Sequence, residues 1–478
     1  MAVLDPSVAC FRFFEKLSAI PHGSHNEQAL SNWIVAFARE RGLWVHQEPC
    51  GNIIIKADAT PGYEHVPPVM LSCHLDMVCE KDVGSSHDFE KEPLALYIEN
   101  GWLKAKGTTL GADDGCGIAM ILAILDNPSL NHPKLECVFT TTEETGMFGA
   151  QELQTNLLEA RRLICLDATG EKIILTTCTG GCRIHIRRPV RRIKAHEKGL
   201  RLVIQGLLGG HSGMFIAAGR GNATKLLGRF LAALERSGVS YELISMCGGS
   251  KDNVIANFAQ ADILCKDSDK AREVFREIYQ ELFNELLPVE SDWTYGVTEI
   301  EADDPMCIED TKAVVQLLRV LPDGVAVMSR QIEGLPSTSS NLGVLSSEND
   351  CVTYQISIRS AVESERQELE EKILLLSQTW GGSGQITGAY PGMPYTASSP
   401  FRQQYADIME KVWGITPTNL AIHAGSEIGY FTEKIPGLEV VTLGPMIEDV
   451  HSPKERVHLA SFQKCTEFLA AVLEQLNC

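Results

Sequence analysis

The sequence predicts an α/β protein built on a mixed sheet with helices on both faces, interrupted by an inserted α+β domain. Three observations carry this expectation. In the first 181 residues, strands dominated by apolar residues, such as "VMLSC" and "LECVF", alternate with helical patterns, as in a sheet covered on both faces. From about Cys182 the strands become polar-alternating ("RLVIQGL", "YELISM", "CVTYQISIRS") and the helices highly charged, the pattern of a sheet with one solvated face. After "GAYPGMPYTASSP" the first texture returns, so the expected domains are 1–181, an insertion at 182–388, and 389–478 completing the first.

The opening "DPSVACFRFFEKLSAIPHGSHNEQALSNWIVAFARERG" holds two amphipathic helical patterns, separated by "PHGS" and closed by Gly42. Short strands follow at "LWVHQE", "NIIIKAD" and "PPVMLSCHLDMV". Next come a helix at "GIAMILAILDN", a strand at "KLECVFTTTEE", a helix near "AQELQTNL" and a strand at "RLICLD". The insertion carries the charged helices "DKAREVFREIYQELFNELL" and "ESERQELEEKILLLSQTW". The last segment reads as the helix "FRQQYADIMEKVWG", the strand "GLEVVTLG" and the helix "LASFQKCTEFLAAVLEQL".

At 478 residues the chain is long enough for two or three domains of about 150 residues each. Its 42 Lys and Arg against 62 Asp and Glu leave a formal charge of −20, which repels a phosphate backbone. The basic runs "RIHIRRPVRRIK" and "KAREVFR" lack interleaved aromatics and read as a solvated strand edge and a helix face, so no nucleic-acid partner is expected. No apolar run approaches the roughly 20 residues that cross a bilayer. The 15 cysteines are odd in number and scattered through apolar stretches, with no signal-peptide pattern before them; free thiols in a reducing cytoplasm are expected. Cys178 and Cys182 lack a second pair to complete a zinc site and read as structural.

The chemistry gathers where apolar strands end. His74 and Asp76 are two apart on a strand and share a face, at the end where open α/β sheets bind ligands. "TTLGADDGCGIA" places Asp113 and Asp114 in a glycine-flanked loop that opens a helix, where one carboxylate can cap the helix and the other face a cation. "LICLD" ends in Asp167, which equally suits the start of a turn. Glu143 and Glu144 in "TTTEETGMFG" are adjacent carboxylates at a strand end, a costly pairing unless a cation or a proton compensates. His451 lies in the distant loop "GPMIEDVHSPKERV", where a lone histidine is usually an ordinary loop residue; His22, His25 and His423 admit the same reading, and the first two are left with it. Together His74, Asp113, Glu144, Asp167 and His451 are nitrogen and oxygen donors of the kind zinc accepts, enough for two ions sharing one carboxylate. Local pattern does not say which member of each adjacent acidic pair does which job.

These segments, with "FEKLSAIPHGSHNE", "GGHSGMFIAAGRGNA", "SNLGV", "ISIRS", "AYPG" and "IHAGSEIG", resemble the co-catalytic zinc aminopeptidase and carboxypeptidase family, and within it the aminoacyl-histidine (Xaa-His) dipeptidases, over nearly the whole chain. The resemblance implies a metallopeptidase catalytic domain with an inserted lid and dimerisation domain. It implies that Asp113 bridges two Zn2+ (Mn2+ or Co2+ being accepted by the same donors), with His74 and Asp167 on one ion and Glu144 and His451 on the other. By the same resemblance Asp76 orients His74, Glu143 is the general base, His211 polarises the scissile carbonyl, Arg359 anchors the substrate carboxylate and Glu427 faces substrate. The implied protein is a cytoplasmic homodimer acting on small peptides, with tripeptide or N-acyl amino acid hydrolysis as alternative activities and a silent metal-binding scaffold as the non-enzymatic one. This chain departs from the usual pattern of these dipeptidases at "HAGSEIG" (more often "HAGLECG"), at "YPGMPY" (no tryptophan after the glycine), at "DATGE" (usually more acidic) and at Asp114 (more often Asn), none of which is an implied ligand.

Overall fold

The computed structural model describes residues 2–348 and 350–476. The chain forms two compact units, Met1–Thr177 with Tyr395–Ala421 and Ser426–Cys478, and Cys178–Pro394 with Ile422–Gly425. The crossings fall at 177/178 and 394/395, where composition placed them at 181/182 and 388/389. Cys178 and Met393 exchange backbone hydrogen bonds of 3.3 and 3.1 Å, which draws both ends of the insertion into the second unit.

The first unit is built on a six-stranded sheet in the order Trp44–Gln47, Ile53–Ala57, Leu135–Thr140, Val69–His74, Arg162–Cys165 and Glu439–Thr442. Its first two pairings are antiparallel and the remaining three are parallel, so the sheet is mixed. Val69–His74 and Leu135–Thr140 are buried along their whole length, which explains their mostly apolar sequences; the charge in the second, Glu136, accepts the Glu159 and Ala160 amides. The strand "GLEVVT" from the end of the chain pairs with Arg162–Cys165, so the tail completes this sheet. The helices Ala9–Leu17, Ala112–Leu125 and Leu459–Gln475 pack together around Phe14, Ile121 and Phe462, with Phe14 and Phe462 edge to face at 5.8 Å. One feature absent from the expected elements is the hairpin Leu96–Glu99 and Trp102–Ala105. Its signal is the pair Asn100-Gly101, whose φ values of 51° and 82° supply the two left-handed positions of a tight hairpin turn. Arg456–His458 adds to this hairpin and Ile447–Glu448 follows it.

In the second unit an antiparallel sheet runs Thr294–Asp303, His196–Gln205, Ala259–Cys265, Tyr241–Gly248, Pro336–Ser347, Cys351–Ser360, Gly180–Pro189 and Ser383–Tyr390. The helices Ala223–Arg236, Ser268–Leu286, Ile308–Val320 and Glu363–Thr379 cover it around Leu227, Phe230, Phe275, Leu318 and Ile373. Asn222 caps the first of these, accepting the Thr224 amide at 3.0 Å. The expected alternation of solvated and buried residues survives along Gly180–Pro189 but stops at 356–360, where every residue is buried. Among the described residues, the cysteines are free and no helix is long and apolar enough to cross a membrane.

Candidate active site

Parallel pairing brings three acidic strand ends to one edge. His74 stands opposite Thr140, and Ser72 opposite Cys165, so the segments after Val69–His74, Leu135–Thr140 and Arg162–Cys165 emerge side by side. The buried His74 places Nε2 3.2 Å from Asp113 Oδ1. The other Asp113 oxygen lies 3.5 Å from His451 Nε2, which in turn lies 2.9 Å from Glu144 Oε1. Asp113 therefore stands between the two imidazoles. His74, Asp113 and Glu144 each offer a donor atom, all within 4.8 Å of one another. Asp167 joins by charge, interacting with Asp113, His74 and Glu144.

The paired acids separate by partner. Asp114 accepts the Gly117 amide at 3.0 Å and so caps the helix, while Asp113 keeps an extended backbone (φ −89°, ψ 107°) and projects toward the histidines. The peptide bond between them is cis. At Glu143 and Glu144 the strand has ended: Thr142 and Met147 adopt positive φ, and Gly146 and Met147 both donate to the Glu143 carbonyl. This turn folds back so closely that a Cβ on Gly149 would lie 2.4 Å from the Thr141 amide nitrogen. Asp76 holds the turn from below. Its carboxylate accepts the amides of Glu143 (2.9 Å) and Glu144 (3.2 Å) and the Ser24 hydroxyl (2.8 Å). The nearest partner of His74 Nδ1 is the Asp76 carbonyl at 2.9 Å, with the Asp76 carboxylate at 3.5 Å. One residue thus steadies both an imidazole and the two-glutamate turn, the second task being invisible in "HLD".

Electrostatics make the cluster a cation trap. Burial, reinforced by the charges of Asp167 and Glu144, pushes the Glu143 carboxyl well above the usual carboxylate range, and burial with the Asp113 charge does the same to Asp167. Burial by itself lowers His74, but Asp113 and Asp76 outweigh it and raise the imidazole well above its ordinary value. Asp113 and Glu144 raise His451 to about 10. Negative charge that holds protons this tightly gives them up to a divalent cation, and the buried Glu144 Oε1 faces the His451 imidazole at 2.9 Å. With donors that are all imidazole nitrogen or carboxylate oxygen, the residues fit a metal of the zinc, manganese or cobalt kind.

Glu427 lies beneath the glutamate pair. Its side chain is fully buried, accepts the Thr140 hydroxyl at 2.6 Å, and is pushed up to about 7 by burial, so it backs the strand that leads to the glutamate pair.

His211 and Arg359 meet within the second unit, with His211 Nε2 3.4 Å from the guanidinium, whose other arm reaches the Tyr390 hydroxyl at 3.4 Å. Arg359 is buried and its Nε has no hydrogen-bond partner. Ser339 faces Arg359 across the strands and its hydroxyl lies 2.7 Å from His423 Nε2. Burial, with the Arg359 charge adding to it, pushes His423 down to about 4 and lowers His211 as well. The Arg359 charge thus opposes protonation of both imidazoles, a setting in which one carboxylate is welcome.

Comparison with known proteins agrees with this geometry. The profile of peptidase family M20/M25/M40 matches residues 70–475. The chain belongs to that family. It is 36% identical over 470 residues to the cytosol non-specific dipeptidase of Escherichia coli K12, covering 97% of this chain and 96% of that protein. The crystal structure of aminoacylhistidine dipeptidase from Vibrio alginolyticus superposes with a TM-score of 0.90 at 36% identity, covering 99% and 97% of the two chains. A tripeptidase from Staphylococcus aureus shares the fold at 15% identity, with a TM-score of 0.56 and 99% of both chains covered. The family's peptidase chemistry thus falls on a chain whose acidic strand ends converge at one sheet edge.

Proposed function

We propose that the protein is a cytoplasmic, metal-dependent dipeptidase that prefers Xaa-His substrates, β-alanyl-histidine included, and works with two zinc ions held by His74, Asp113, Glu144, Asp167 and His451. The observation that carries this reading is the convergence of His74, Asp113 and Glu144 within 4.8 Å beside the neighbouring Glu143. When bound, the metal pair lowers the pKa of a water and polarises the peptide carbonyl. Glu143 takes a proton from the attacking water and passes it to the leaving amine. Burial and the charges of Asp167 and Glu144 raise its proton affinity, which suits a group that has to accept a proton and then hand it on. Asp76 keeps Glu143 and Glu144 in register through their amides. His211 donates to the carbonyl oxygen as negative charge develops, and Arg359 anchors the C-terminal carboxylate that a dipeptide presents next to the scissile bond. The full-length similarity to an aminoacylhistidine dipeptidase supports the histidine preference, and the relative called a non-specific dipeptidase supports a broader range of dipeptides. The second unit is proposed as the dimerisation domain, which gives a solution mass twice the 52.5 kDa of one chain.

Hydrolysis by metal-reconstituted protein of β-alanyl-histidine, other Xaa-His dipeptides, dipeptides lacking histidine, tripeptides and N-acyl amino acids, with metal content measured on the same sample, tests the reading. Dipeptides are cleaved and Xaa-His fastest. Faster turnover of tripeptides or N-acyl amino acids replaces the substrate assignment, and two bound metals with no turnover of any substrate points to the silent scaffold.

A further inference from the structure

Glu455 lies four residues beyond His451 in "HSPKERV" and is 3% exposed. Its two carboxylate oxygens accept four consecutive backbone amides from a distant part of the first unit. Oε2 takes Leu110 (2.8 Å) and Gly111 (3.1 Å), and Oε1 takes Ala112 (2.8 Å) and Asp113 (3.3 Å). These are the amides at the start of the helix Ala112–Leu125, which have no intrahelical acceptor. A buried carboxylate without such donors is strongly disfavoured, so the acid and the loop each compensate a polar group the other leaves open. Gly111 sits at the middle of the grip with φ 66°, and a Cβ there would lie 2.8 Å from Met77 Sδ.

Glu455 is itself firmly placed. Its amide donates to the Ser452 carbonyl, and the Ser452 hydroxyl donates to the Asp449 carbonyl, so the turn carrying His451 is tied internally. Immediately after it, Arg456–His458 pairs with Trp102–Ala105, the strand that leads into the 106–111 segment. The loop bearing His451 and the loop bearing Asp113 are thereby braced against each other at a carboxylate on one and four amides on the other.

We propose that Glu455 is a positioning residue for the metal centre, clamping the 110–113 amides so that the Asp113 carboxylate and the His451 imidazole are presented together. The proposal rests on the reading that Asp113 and His451 hold metal. Removing a group that orients a metal ligand typically costs 10–100-fold in metal affinity. Glu455→Gln keeps the side-chain shape but replaces one acceptor oxygen with a donor NH2, which opposes two of the amides.

The test is titration of the metal-free, full-length protein with cobalt(II), followed by visible absorption, alongside the melting temperature of the metal-free protein. The expected result for Glu455→Gln is affinity weakened about 10–100-fold with an altered cobalt spectrum, a change in ligand geometry that a merely structural role would not produce. Wild-type affinity and spectrum in Glu455→Gln overturn the proposal. Asp113→Asn separates the two layers: wild-type cobalt binding in that variant removes Asp113 from the metal site, whereas weakened binding there with an unaffected Glu455→Gln removes only Glu455. Should Glu455→Gln fail to fold, amide hydrogen exchange of the metal-free wild-type protein decides. Slow exchange at 110–113 supports the clamp, and exchange at the rate of an open loop overturns it.

Discussion

Glu143 and Glu144 share a turn and an anchor, since Asp76 accepts both amides, but their carboxylates face different company. Glu144 lies 2.9 Å from His451, whereas burial and the charges of Asp167 and Glu144 raise the proton affinity of Glu143. Under the proposed roles the two carboxylates coexist because a metal ligand needs a lasting cation and a proton carrier needs a proton it can release. Glu143→Gln therefore retains metal, measured as metal content per chain, while kcat falls by about 10²–10⁴-fold, the usual worth of a positioned acid–base group. Near-wild-type turnover in that variant would take the base role away from Glu143.

Turns and helix starts do the positioning at the level of elements. The 141–149 turn leaves no space at Gly149, whose Cβ would meet both the Thr141 backbone and Asn52 Oδ1. Gly149→Ala is expected to cost about 1–3 kcal/mol, read as a lower midpoint in urea, because the surrounding backbone has to move. In the second unit, the first turn of the helix Ile308–Val320 carries Asp310, which accepts Arg188 at 2.7 Å and both the Arg191 amide (2.7 Å) and its Nε (3.1 Å). Burial opposes ionisation of Asp310, but these donors prevail and hold its carboxyl down at about 2, against 3.8 when free. A folded-state value below the unfolded one means stability that is fully present above pH 3.8 and is lost as the pH falls toward 2. Asp310→Asn should accordingly lower the melting temperature at neutral pH, and its deficit relative to wild type should shrink across that acid range. A constant deficit would show that the ion pairs are not its source.

At the scale of the whole molecule, each unit has its own hydrophobic core, one around Phe14, Phe139 and Phe462 and the other around Phe230, Phe275 and Ile356. The proposed metal ligands all belong to the first unit, so bound metal stabilises that unit directly. Stripping metal that had stood at 100 times its Kd removes about 2.7 kcal/mol. Hydrogen exchange with and without chelator checks this: protection should fall in the strands Val69–His74 and Leu135–Thr140 more than in Ala259–Cys265 and Cys351–Ser360. An equal loss throughout would place the stabilisation elsewhere.

Apolar strands alternating with helices, the change of texture near residue 180, and an acid or histidine at each strand end could all be read without a structure, because burial imprints its period on neighbouring residues. The hairpin at Asn100-Gly101 was missed, although its turn is encoded in two adjacent residues. Partnership across the chain was not legible. That Asp76 holds amides 67 and 68 residues away, that Glu427 is sealed against Thr140, and that Glu455 grips the Asp113 amide across 342 residues depend on strand order and loop closure. Local sequence governs backbone preference and which faces are buried. Only tertiary closure decides which donor a buried carboxylate meets, and hence which of two neighbouring acids caps a helix and which turns toward the histidines.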